Sequence, residues 1–96
     1  MKDYFRVPSA IWDNETFVQF DDKTKLLYLL LIRLESKFGP WFYQPDVALC
    51  RSLACSSRRT VYRARDKLVS SGLIQVRRGN KGRATEYRVI EQTWWL

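Results

Sequence analysis

The sequence predicts a mainly helical fold with a small antiparallel β-hairpin towards its end. Three observations predict it. Apolar residues recur at helical spacing over 22–38 and again in the Arg-rich stretch that contains Val61, Ala64 and Leu68. Gly39 and Pro40 stop the first run, and the period changes from helical to two after Gly72. The expected order is helix, short strand, helix, helix, strand, loop, strand.

Residues 1–21 form an N-terminal extension, irregular or extended up to Pro8, in which Phe5, Val7, Ile11 and Trp12 are expected in the core. Asp21 or Asp22 can cap a helix over about 22–38, whose Leu26, Leu27, Leu30, Leu31 and Leu34 form a core stripe. Trp41, Phe42 and Tyr43 are a short extended segment, and Pro45 suits the first turn of a second helix running to about Ala54. Val47, Leu49, Cys50 and Leu53 supply its apolar side. A third helix presents Val61, Ala64 and Leu68 inward and ends near Ser71 and Gly72. Only about three residues separate the second and third helices, which forces a steep crossing. Ile74 and Val76, then Thr85, Tyr87 and Val89, alternate with polar residues in two strands joined by the basic loop Arg78 to Arg83. No repeat or linker divides the chain, so one domain over 1–96 is expected, with an extension at 1–21, a core at 22–90 and a tail at 91–96.

Composition narrows the function. At 96 residues a chain hides roughly 60 to 65% of its unfolded surface, enough for one core and too little for a deep cleft between subdomains. With no His, the commonest general base and every imidazole metal ligand are missing. Cys50 and Cys55 match no zinc spacing, and they are expected to be reduced, small buried hydrophobes without chemistry. No enzyme activity, cofactor or metal is expected. The longest apolar run, Leu26 to Ile32, is far shorter than the roughly 20 residues of a membrane span, and the N-terminus lacks a secretory pattern. A cytoplasmic protein with no membrane partner is expected.

The charge is uneven. Residues 1–50 carry six basic and seven acidic side chains, whereas residues 51–96 carry 11 basic and three acidic ones within an overall net charge of +7. Concentrated like charge opposes compaction, so its retention points to a polyanionic partner.

The stretch LACSSRRTVYRARDKLVSSGLIQVRRGNKGRATEYRV, a Ser-capped Arg-rich helix leading into GLI and a basic hairpin, resembles the winged helix-turn-helix family. The resemblance covers about residues 22–90 and implies double-stranded DNA as partner, with the order helix, strand, helix, helix, strand, wing, strand. In the family's usual pattern the capping serine falls three residues after the Leu of the second helix, but Ser57 is four after Leu53. Either the turn is one residue longer or Ser56 is the cap.

With Val61, Ala64 and Leu68 inward, about 100° per residue turns Arg59, Arg63, Asp66 and Ser70 outward, with Tyr62 and Lys67 on the flanks. Arg59 and Arg63 are the candidates for reading base edges, because a guanidinium can donate two bonds to guanine O6 and N7. Ser57, Arg58, Thr60, Tyr62 and Lys67 are candidates for phosphate contact. Arg77, Arg78, Lys81 and Arg83 look like a wing that reaches the backbone or a minor groove. Arg65 lies on the core side and is expected to pair with an acid or to snorkel. Trp94, Trp95 and Leu96 either fold back on the first helix or form a contact with a second copy, a further domain or a replication protein.

The opening YFRVPSAIWD, followed by DKTKLLYLLLIRL, is similar to the N-terminal domains of phage and plasmid replication initiators or replisome organisers. Two alternatives remain, a dimeric transcriptional repressor and a winged-helix module that binds protein or RNA.

Overall fold

The computed structural model describes residues 4–79 and 84–95, without the side chain of Trp94. A 3₁₀ turn at Ser9–Asp13 precedes helices α1 (Glu15–Val18) and α2 (Asp22–Phe38), strand β1 (Phe42–Tyr43), helices α3 (Asp46–Ser52) and α4 (Arg58–Ser70), strands β2 (Ile74–Arg77) and β3 (Glu86–Val89), and a final 3₁₀ turn at Thr93–Trp95. From α2 to β3 the order is the one expected, with α1 as an additional short helix before it, and the architecture is a winged helix-turn-helix fold. The sheet exceeds the expected hairpin: β1 joins its edge, giving three antiparallel strands in the order β1-β3-β2. Phe42 pairs with Tyr87 and Val76 pairs with Tyr87 on the other side, so Tyr87 is the centre of the sheet.

The core lies between α2, α4 and the inner sheet face. Leu27, Tyr28 and Leu31 of α2 meet Val61 and Leu68 of α4 and Ile74 and Tyr87 of the sheet, all fully or almost fully buried. Each aliphatic side chain so enclosed contributes about 1.5–3 kcal/mol. The N-terminal segment adds Ile11 and Phe17, both buried. Asn14 holds Phe17 in place by accepting its N–H at 2.9 Å.

Three residues expected in the core are exposed. Trp12 is 62% exposed, because Ile11 beside it takes the inward position, and Trp12 meets Phe17 in a T-shaped ring contact. Leu26 is 48% exposed, since Thr24, Tyr28 and Ile32 rotate the true inward stripe of α2 away from it. Val47 is 54% exposed; Leu49 and Leu53 carry the packing of α3.

The turn also differs from expectation. Helix α3 ends at Ser52 instead of Ala54, and five residues, Leu53 to Ser57, separate it from α4. Ser57 is the cap, its Oγ accepting the Arg59 N–H at 3.1 Å. The extra length is absorbed at Ala54, which sits at φ 54°, in the left-handed region. A side chain there costs energy that glycine avoids. Ala54→Gly is therefore expected to stabilise the domain by about 0.5–1 kcal/mol, read as a higher urea midpoint at unchanged slope.

Candidate nucleic-acid interface

Helix α4 has one charged side chain inside and the others outside. Arg65 is 2% exposed. Its guanidinium donates to Asp46 Oδ1 at 3.1 Å and to the Tyr87 hydroxyl at 2.8 Å, and it lies 4.9 Å from the centre of the Tyr62 ring. The acid expected for Arg65 is thus Asp46, in the first turn of α3, and the tyrosine is the central residue of β3. Burial works against the charge of Arg65, but Tyr87 and Asp46 outweigh it and hold the proton more firmly than in water. Burial in turn raises the Tyr87 phenol, partly offset by the guanidinium.

With Arg65 inside, Arg58, Arg59, Tyr62, Arg63, Asp66, Lys67 and Ser70 face solvent, and Thr60 is half-buried. Arg59 and Arg63 share the outward face as expected. No ion pair among the described residues engages Arg58, Arg59 or Arg63. The first turn of α4 holds no acid, so the positive end of the helix dipole and the Arg58 and Arg59 side chains add in sign. Such a surface attracts an anion.

The remaining candidates separate. Arg78 reaches back to Asp66 of α4 at 3.7 Å, which places the base of the wing on the outward side of α4. Arg77 turns to the outer face of the sheet, where its guanidinium stacks 3.6 Å from the Trp41 ring centre. Its charge is therefore spent away from α4. Lys67 pairs with Asp21 Oδ1 at 2.7 Å and so ties α4 to the start of α2. Lys81 and Arg83 lie outside the described residues, as do Leu96 and the Trp94 side chain. Trp95 folds back on the core beside Ile32 and Val89 of α2 and β3, with its indole directed at the Tyr28 hydroxyl. Burial pushes that hydroxyl up to about 12.

The sequence reading missed the Asp21 cluster. Asp21 precedes α2 without capping its amides; its carboxylate instead accepts the Thr24 hydroxyl at 2.6 Å and the Lys67 ammonium. Nearby, the Lys23 ammonium donates to the Leu53 carbonyl and fastens the α3–α4 turn to α2. Among the described residues no helix is long and apolar enough to cross a membrane, and no group of three or more acidic, Cys or His side chains could hold a metal.

The residues from Asp21 to Ile74 match a family model described as a helix-turn-helix domain. This chain belongs to that helix-turn-helix family. The match starts at the residue that ties α2 to α4 and ends at the first residue of β2, so it spans α2, α3, the turn and α4 but not β3 with Tyr87. Two solved structures share the fold of this helix-turn-helix domain: a Rep–DNA complex and the N-terminal domain of a DNA-binding protein. Each superposes with a TM-score of 0.66 at 16% identity, over 92% of this chain and 75% and 74% of theirs. No curated protein matches the chain in sequence.

The Asp21 cluster has a pH signature. The Lys67 and Thr24 contacts lower the Asp21 carboxyl from 3.8 to about 2. A carboxyl lowered on folding stabilises above its unfolded value, and the benefit is lost as pH falls from near 4 to near 2. Asp21→Asn is expected to lose about 0.5–1 kcal/mol at pH 7 and low salt, and the difference from the native chain should shrink through pH 2 and vanish only in melts near pH 1.

Proposed function

We propose that this chain is a non-catalytic duplex-DNA-binding domain. Helix α4 enters the major groove, with Arg59 and Arg63 at base edges, and Ser57, Arg58, Thr60 and Tyr62 against phosphates. Arg78, with Lys81 and Arg83 of the same loop, carries the wing to the backbone or a minor groove. The observation that carries this reading is the division within α4: Arg65 is sealed in the core while Arg58, Arg59 and Arg63 stand outside without an ionic partner among the described residues. A helix with uncompensated guanidiniums near its N-terminal end is matched in width and sign to the groove of B-DNA. Lys67 and Arg77, already engaged by Asp21 and Trp41, are secondary contacts in this reading.

The biological role we assign to this binding is the initiation of phage or plasmid replication, in the cytoplasm at the nucleoid. Two features support it: the opening of the chain, and the likeness in fold to a Rep protein solved in complex with DNA. A footprint distinguishes this role from repression, since an initiator can load on repeated sites in one orientation whereas a dimeric repressor protects two symmetric half-sites.

Salt dependence tests the binding itself. Neutralising about six phosphates predicts a log–log slope of about −5 for duplex affinity, and a flat slope contradicts the proposal. In the same assay Arg63→Ala should cost about 1–3 kcal/mol on the preferred site and less on random duplex, while Lys81→Ala should weaken both alike. Equal losses from the two substitutions would remove the division into reading and positioning residues.

A further inference from the structure

The two cysteines of the chain lie on either side of the end of α3, Cys50 in its last turn and Cys55 in the turn that leads to α4. Two backbone bonds close α3: Ala54 N–H donates to the Arg51 carbonyl at 3.2 Å, and Cys55 N–H donates to the Cys50 carbonyl at 2.9 Å. With Ala54 left-handed between them, this pattern is a Schellman closure. In such a closure the side chain just beyond the left-handed residue commonly packs on the one at the far end of the longer bond. Here both of those positions are cysteines. Both are free thiols, half-buried, and packed against the edge of the core.

The bond also sets a distance. Given standard backbone lengths and an N···O separation of 2.9 Å, the two α-carbons lie within about 6.8 Å of each other. Disulfides span α-carbon separations of about 4.4–6.8 Å. A spacing of five in sequence would not by itself bring two cysteines this close; the left-handed turn at Ala54 does so.

We propose that Cys50 and Cys55 are a dithiol modification site that closes to an intramolecular disulfide within the native turn, with a small glutathione-type disulfide as oxidant. One cysteine thiolate attacks a sulfur of the oxidant and displaces one small thiolate, giving a mixed disulfide. The second cysteine thiolate then attacks the protein sulfur of that intermediate, the Cys50–Cys55 bond forms, and the second small thiolate leaves. Two electrons pass from the protein to the oxidant, and the two thiol protons end on the two small thiols released. The half-exposure of both cysteines admits a small disulfide, and the site lies where α3 passes into the turn that leads to α4. It stands independently of DNA binding.

The test is the thiol–disulfide equilibrium of the full chain in mixed oxidised and reduced glutathione, in native buffer and in concentrated urea, followed by alkylation and trypsin digestion. Arg51 lies between the two cysteines, so trypsin separates them in the reduced chain but leaves the two peptides joined, and lighter by two hydrogens, in the bridged one. The native chain is expected to favour the bridge at least tenfold more than the urea-unfolded chain, because a turn already at bridging distance is stabilised by closing the loop. An equal or weaker preference in the native state would overturn the proposal. So would mixed disulfides or cross-linked dimers as the main native products.

Discussion

One buried cation decides how the rest of this domain is arranged. Arg65 is the only charged side chain among the described residues that the core admits, and it is held there by one carboxylate from α3 and one phenol from β3. Taking a guanidinium out of water costs several kcal/mol, so its position is tolerable only where both partners are in place. The contact therefore works as a register pin. Turning α4 by one residue, about 100°, would withdraw Arg65 from Asp46 and Tyr87 and bring Asp66 towards the apolar interior. With that rotation fixed, Arg59 and Arg63 have only the solvent side left.

Around that pin, the other polar contacts sit at the edges of the helix-turn-helix unit. Asp21 holds Lys67, the Lys23 ammonium holds the Leu53 carbonyl, and Asp66 meets Arg78 from the wing. They join α4 to the start of α2, the turn to α2, and the wing to α4. The same contacts sort the positive charge. Acids engage Arg65, Lys67 and Arg78, and an aromatic ring covers Arg77, while the arginines of the first two turns of α4 stay open. Arg58, Arg59 and Arg63 thereby leave positive charge without an acidic partner among the described residues at the start of α4, which suits a polyanion.

Much of the architecture was legible because local signals agreed. Helix α2 runs over the expected residues since acidic residues begin it and Gly39 and Pro40 end it, and the inward stripe of α4 follows from the spacing of Val61, Ala64 and Leu68. Gly72, at φ 74°, closes α4 where a glycine was expected to. The longer turn was only half legible: the serine spacing signalled an irregularity, but a left-handed alanine leaves no mark in a sequence. Trp12, Leu26 and Val47 misled because periodicity shows which side of an element is apolar, not how far its neighbours cover it. The Asp21–Lys67 contact spans 46 residues and the Arg65–Asp46 contact 19, beyond the reach of any local pattern. The outward arginines of α4 were legible for a simpler reason, that a helical wheel needs only its own inward residues.

The most direct measurement of the central claim is the unfolding free energy of Asp46→Ala by urea denaturation. Asp46 is itself partly exposed, at 22% of its side-chain surface, and by its own burial would count as a peripheral group. If it is the counter-charge that lets Arg65 occupy the core, its removal strands a buried guanidinium with only a phenol, and a loss of about 2–4 kcal/mol is predicted. A loss below about 1 kcal/mol, the scale of a surface ion pair, would contradict the claim that this interaction fixes the face α4 presents.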